Sequence, residues 1–337
     1  MSIYIPINSQ KKRVKKCFAN DAGELKKIDS IFGNVNGALE KMFSVTKVKR
    51  TPILVTVGTS GKSYYSLDSE TWTAMTGLEV SYYYKVAFGN GRFVCVSQKG
   101  VSNYSTDGKT WHPMTGLDTA YNYSCVVYAN DRFICIGSSG KTYYSFDGET
   151  WVEGMTGLSS YSYQGIAYGN GSYVVVTRGD YVSYSVDGKT WNKAVGLSSS
   201  EFYNDVVYGD GKFVMVGDSG KCAYSVDGIT WTAVTGLSSS YHYSGIAYGD
   251  GKFVTVNQSG KSYYSMDGIT WIDLTSTAGS VGGAKSVTYA DGRFVAVGTT
   301  GRAYYLDNDN KWNTMSGLDT AYTYNGVCYG VVEERAA

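Results

Sequence analysis

Between Ser244 and Thr275 the chain reads SGIAYGDGKFVTVNQSGKSYYSMDGITWIDLT, where short β-rich apolar runs alternate with polar positions and are broken by GDG, SG and DG. Alternation with a period of two, bounded by Asx-Gly and Gly-containing pairs, marks strands joined by tight turns, because those residues accept the positive φ a hairpin needs. The segment predicts a four-stranded antiparallel meander, and no helical period interrupts it. Near copies of its KSYYSMDGITW phrase begin at Lys221, Lys141 and Lys62. The seven tryptophans, at 72, 111, 151, 191, 231, 271 and 312, recur with it every 39 to 41 residues. A period near forty is that of a propeller or a solenoid.

The ends decide between the two. The first unit opens at PILVTVG, Pro52 to Gly58, without an initial strand, and the last ends with that missing strand, YNGVCYG, Tyr324 to Gly330. A C-terminal strand therefore completes the blade begun at Ile53, closing a ring that leaves no long edge exposed. The predicted fold class is all-β, a seven-bladed β-propeller over 49–337.

Residues 3–44 follow a shorter period, three units of fourteen: IYIPINSQKKRVKK, CFANDAGELKKIDS and IFGNVNGALEKMFS. Tyr4, Phe18 and Phe32 align, as do Val14, Ile28 and Met42. Each unit predicts a small hairpin, so residues 1–48 form a separate N-terminal attachment or oligomerisation domain with its linker. So small a piece buries little by itself and is expected to oligomerise or dock onto something.

Composition agrees with this division. Of 337 residues 43% are hydrophobic and 18% charged, with 32 Tyr, 42 Gly and only 3 Pro, which suits short strands and glycine turns. The net charge of +1 hides an asymmetry: residues 1–50 hold 11 Lys/Arg against 4 Asp/Glu, and the remainder the opposite excess. A basic arm that contacts nucleic acid is the alternative reading of that excess, but no aromatic-interleaved motif supports base readout. No run approaches the roughly 18 apolar residues of a spanning helix, and the start lacks a signal-peptide core, so neither membrane insertion nor a cleaved signal is expected. Cysteines 17, 95, 125, 135, 222 and 328 lack close CxxC spacing, and most sit in apolar runs; they read as buried thiols rather than disulfides or metal ligands.

The phrase YSMDGITW resembles the Asp-box of sialidase-like and lectin propellers, one residue short of the usual spacing. Asp107, Asp147, Asp187, Asp227 and Asp267 are expected to accept backbone N–H bonds within their own turns, with Trp packing between blades. These carboxylates read as turn makers, not catalysts. The Lys-rich phrases KKRVKK and GALEKMF resemble the attachment segments of phage tail-fibre or receptor-binding proteins over about 45 residues. That resemblance implies a virion-tail protein whose distal face meets a host surface and whose residues 1–48 contact other tail proteins.

In a four-stranded blade, the loop entering the innermost strand and the loop between strands two and three lie on one face. That face is expected to bind ligand. Tyr83, Tyr123, Tyr163, Tyr203, Tyr243 and Tyr324 occupy one repeated position there, with Ala284 in the seventh unit. Lys62, Lys141, Lys221, Lys261 and Arg302 occupy another, where Val101 and Tyr181 stand in two units. Tyrosine faces stack on sugars and cations attract anionic groups, so these residues are the candidate glycan site, widened by Tyr121, Tyr161, Tyr241 and Tyr322. The alternative is that the tyrosines pack between blades.

No enzyme is expected. Arg92, Arg132 and Arg293 occupy equivalent turns on the opposite face, and the remaining Arg178 and Arg302 are too few to hold a sialidase substrate. Glu201, Asp205 and Asp218 are the best carboxylates for a glycosidase, which needs a pair about 5 to 10 Å apart. His112 and His242 lack a nucleophile motif, and DNDN at Asp307 lacks the later residues of a calcium loop. Neither cofactor nor metal is expected. A structural virion propeller that binds protein, and a soluble lectin unrelated to phages, remain alternatives.

Overall fold

The structure is a computed structural model that describes the backbone of 3–7, 10–14, 20–21, 24–28, 33–35, 38–40 and 45–335, except 155–157, 159–161, 180–181, 199–200 and 276–278, and side chains from 49 to 333. Tyr161, Tyr181 and Cys17 lie outside the described residues. The chain divides into two compact units, 1–51 with 331–337, and 52–330.

The first unit carries three antiparallel pairs at the fourteen-residue spacing: Ile3–Ile7 with Gln10–Val14, Asn20–Asp21 with Glu24–Ile28, and Gly33–Val35 with Ala38–Glu40. Residues 45–48 add to the second hairpin by pairing with Ile28 to Leu25. Arg50 meets Glu333 at 2.9 Å.

The second unit is a ring of seven four-stranded blades. Blades 2 to 7 are meanders spanning 83–113, 123–153, 163–193, 203–234, 243–273 and 284–314. Blade 1 takes Leu54–Val57, Ser63–Ser66 and Thr73–Ala74 from the start of the unit, and its innermost strand from Tyr324 onward. Ring closure is fixed by Thr59 N–H donating to the Thr323 carbonyl (2.9 Å) and by the buried Thr56 hydroxyl donating to Gly326 (2.9 Å).

The core lies in the seams between blades. Val94 and Val96 of blade 2 pack with Tyr123, Phe133, Tyr143 and Trp151 of blade 3, and the same set recurs around the ring. Each buried ring of this kind contributes about 1.5–3 kcal/mol from apolar burial. Trp72, Trp111, Trp151, Trp191, Trp231 and Trp271 are all buried. In blades 2, 4, 5 and 6 the innermost strand ends in glycine where the next blade's tyrosine ring is seated: a Cβ on Gly209 would lie 2.1 Å from the Tyr248 ring. Cys95, Cys125, Cys135 and Cys222 are buried free thiols, and burial pushes Cys125 and Cys222 up to about 12.

The Asp-box-like turns behave as the sequence predicts. In SVDG, Asp187 accepts from the Ser185 hydroxyl (2.9 Å) and from the N–H groups of Lys189 (2.7 Å) and Thr190 (2.8 Å), and the same bonds recur at Asp68, Asp107, Asp147, Asp227 and Asp267. Arginines of the first hairpin turn rivet these turns to the preceding blade: Arg92 ion-pairs with Glu149 (2.5 Å), Arg132 donates to the Asp187 carbonyl, and Arg293 pairs with Glu70 (3.6 Å). Among the described residues no helix is long and apolar enough to cross a membrane.

Candidate functional site

The two loop sets expected on one face do meet. Ser138 N–H donates to the Asn122 carbonyl (2.8 Å), Asp218 N–H to Phe202 (2.9 Å) and Gly301 N–H to Tyr322 (3.0 Å), each joining a second-to-third-strand turn to a loop entering an innermost strand. They surround the mouth of the central channel, a cavity of about 590 Å³.

Of the repeated tyrosines only Tyr163 touches its lining. Tyr83, Tyr123, Tyr163, Tyr203, Tyr243 and Tyr324 are at most 2% exposed, so none offers a ring face to a ligand. Tyr123, Tyr243 and Tyr324 meet Tyr143, Tyr263 and Tyr64 edge-on at 5.6 to 5.8 Å. The Tyr83 hydroxyl donates to Asn103 (2.7 Å) and that of Tyr203 to Glu201 (2.7 Å). The seam, not the mouth, is their environment, which corrects the stacking role expected of them.

The cation positions stand on the rim with partners of their own. Lys62 lies over the Tyr322 ring (4.8 Å) and Lys141 over Tyr121 (5.3 Å), so the tyrosine–cation pairing exists, but with the tyrosine two residues earlier. Lys141 also pairs with Glu153 (2.5 Å), Lys221 with Glu201 (2.8 Å) and Lys261 with Asp273 (3.4 Å), while Arg302 is exposed beside Gly282. None of these five cations lines the cavity.

What lines the mouth is the residue after each of those repeated positions: Tyr84, Ser124, Gln164, Asn204, Ser244, Lys285 and Asn325. In blades 2 to 7 the pairing of the innermost strand shifts register at this residue, as between Tyr83 and Lys85. A bulge turns a side chain away from the ladder's regular alternation, and here it accompanies the turn of seven side chains into one opening. A sequence signal was available: around the repeated tyrosine the chain varies from blade to blade, as in YYYK, NYSC, SYQG and FYND, whereas the rest of the strand repeats.

One step deeper, Lys85 and Asp205 form an ion pair across the channel (3.3 Å), and Asp205 also accepts from Ile246 N–H (3.2 Å). At the mouth, Asp218 gathers Asn204 (2.8 Å), His242 (3.2 Å) and Arg178 (3.6 Å), and Arg178 also donates to Asn204 (3.2 Å). The three carboxylates weighed for catalysis, Glu201, Asp205 and Asp218, are thus each held by a cation. Tyr82 and Tyr84 stack obliquely at 4.9 Å on another side of the opening, their hydroxyls tied to Asn325 and Gln98. Among the described residues no group of three His, Cys, Asp or Glu is placed to hold a metal.

No family model and no curated protein matches the chain. Solved structures do. YCF48 bound to D1 peptide is 18% identical over 72% of this chain and 84% of that one, with a TM-score of 0.56. A propeller from a nidogen/laminin complex is 12% identical over 82% and 98%, TM-score 0.52. A catalytically inactive virginiamycin B lyase from Staphylococcus aureus with quinupristin is 9% identical over 85% and 96%, TM-score 0.66. At such identities the likeness is one of fold, the seven-bladed β-propeller.

Proposed function

We propose that this protein is a non-enzymatic recognition propeller that takes a cell-surface glycan at the mouth of its central channel. One observation carries the reading. Blades that otherwise repeat vary where the innermost strand begins, and one side chain from each blade at that level lines one polar cavity. Repetition is enough for packing, so variation gathered at the end of the strands that forms an opening speaks for recognition. Three carboxylates engaged by cations support a binding role over hydrolysis. The resemblance of the N-terminal units to tail-fibre attachment segments supports a place on a phage-like tail, with residues 1–48 as its anchor.

A protein partner is the second reading, favoured by the D1 peptide and the laminin named with two propellers of this fold. Glycan and peptide arrays probed with the full chain separate the two. Retained glycans are expected, with signal lost in Tyr84→Ala/Gln164→Ala and kept in Arg132→Ala on the opposite face. Peptide hits with the same dependence favour the second reading. Binding that survives the double substitution and fails in Arg132→Ala overturns the mouth itself.

A further inference from the structure

The seven mouth residues do not all do the same work. Four of them stitch the innermost strands together, each reaching a backbone carbonyl of the next blade: Ser124 to Tyr163 (2.6 Å), Asn204 to Tyr243 (2.9 Å), Ser244 to Ala284 (2.9 Å) and Asn325 to Tyr83 (2.9 Å). Small hydroxyl and amide side chains suit that bond, and the fold rewards them. Tyr84, Gln164 and Lys285 break the rule: Tyr84 accepts from Gln98, Gln164 turns back to Ser162, and Lys285 Nζ has neither a hydrogen bond nor an ion pair among the described residues.

Lys285 is the costliest of the three departures. It is partly buried, and a half-desolvated cation without a counter-ion is unfavourable unless something else compensates it. The other cations of the mouth have their own anions, Lys85 in Asp205 and Arg178 in Asp218. Lys285 stands beside Arg178 rather than beside a carboxylate, and burial first, then that neighbouring guanidinium, pulls its ammonium below the usual lysine range. The opening therefore carries an uncompensated positive charge. Its remaining lining is hydroxyls, amides, His242 and tyrosines, with no aliphatic side chain among the described residues. A peptide's apolar side chains would find only the tyrosine rings there, whereas a polyhydroxylated anion finds donors, acceptors, a pair of aromatic rings and a cation.

Resting on the mouth as the recognition site, we propose that Lys285, with Arg178 beside it, is the acidic-group subsite and that the ligand is a saccharide bearing a carboxylate, sulfate or phosphate. The probe is an array of uronate, sialate, sulfated and phosphorylated oligosaccharides, each beside its neutral counterpart, with a tetraglutamate peptide as a further spot. Retention is expected only for acidic sugars, with the type of acidic group read from which arm is kept. Lys285→Met keeps the aliphatic stem and should lower affinity about tenfold or more, the loss of one charge-assisted contact, while Lys285→Arg stays within about threefold. The thermal midpoint of Lys285→Met should hold or rise, because an uncompensated cation has been removed.

Neutral sugars retained as well as acidic ones, or Lys285→Met binding as the native chain does, would overturn the subsite while Tyr84→Ala/Gln164→Ala still reports on the mouth. Tetraglutamate bound more tightly than every acidic sugar would overturn the saccharide and leave an acidic peptide in its place. No acidic spot retained by the native chain would overturn it outright.

Discussion

At the scale of single residues, the tyrosines show how one side chain supports two opposite readings until its neighbours are known. A tyrosine repeated at the start of every innermost strand could face a ligand or fill a seam, since both uses want a large ring with a polar tip. The ring is buried at every one of these positions, and at Tyr83 the hydroxyl finds a partner inside in Asn103. Tyr203→Ala and Tyr243→Ala should therefore each destabilise the propeller by about 3–5 kcal/mol, as large-to-small changes in a core do. Chemical denaturation should register the loss before any binding assay does. A native denaturation midpoint in either variant would return these residues to the surface. Tyr84, one position on, should show the reverse: its substitution to alanine weakens binding and leaves the midpoint nearly unchanged.

The element scale belongs to the Asp-box-like turns. Each joins a blade's third and fourth strands, and three are riveted by an arginine of the preceding blade, so that there turn and seam are one mechanical piece. At Asp187 the Thr190 N–H, then the Lys189 N–H, hold the carboxyl down at about 2, and at Asp267 the Thr270 N–H leads the same effect. A carboxyl depressed on folding contributes stability that is fully present above its unfolded value near 4 and is lost as pH falls from there through about 2. Asp187→Ala should thus lower stability by about 1 kcal/mol at pH 7, the cost of losing a side-chain acceptor for orphan N–H groups. Near pH 2 the variant and the native chain should converge. Urea titrations at the two pH values test this, and an undiminished gap at pH 2 would mean the turn does not depend on the ionised form.

Much at this scale was legible in the sequence. Turn residues are chosen by local backbone geometry, so the DG and SG pairs announced the hairpins and the tryptophan spacing counted the blades. The fourteen-residue phrases likewise matched three hairpins, from Ile3 to Glu40. The mouth was not legible in the same way. A strand read with a strict period of two places Tyr83 and Lys85 together on one side, and the register shift between them changes which side chain meets the opening. A bulge depends on how one strand pairs with another, which is tertiary information that the hydrophobic pattern does not carry. The ion pair between Lys85 and Asp205 is equally non-local, since the two residues lie 120 positions apart.

For the whole molecule, the ring makes every blade's stability depend on its neighbours, because the core consists of seams and a seam needs two sides. Lys85 of blade 2 and Asp205 of blade 5 sit three blades apart, as far as a ring of seven permits, and their contact spans the channel. Such a strut is useful only if the circle is shut. The closing strand brings Tyr324 and Val327 into the cluster that also holds Leu54, Trp72 and Val295, joining the first blade to the last. Ending the chain after Ala321 removes that strand, exposes the edge of Leu54–Val57, and orphans the buried Thr56 hydroxyl that donates to Gly326. The lost tyrosine and valine alone are worth about 5 kcal/mol, so the thermal midpoint should fall by about 10 °C or more. Ending the chain after Gly330 keeps the strand and should leave the propeller's transition where it was. Differential scanning calorimetry of the two truncations separates closure from mere shortening: equal midpoints would mean the ring does not depend on its last strand, whereas a fall confined to the longer truncation places the closure between Tyr324 and Gly330.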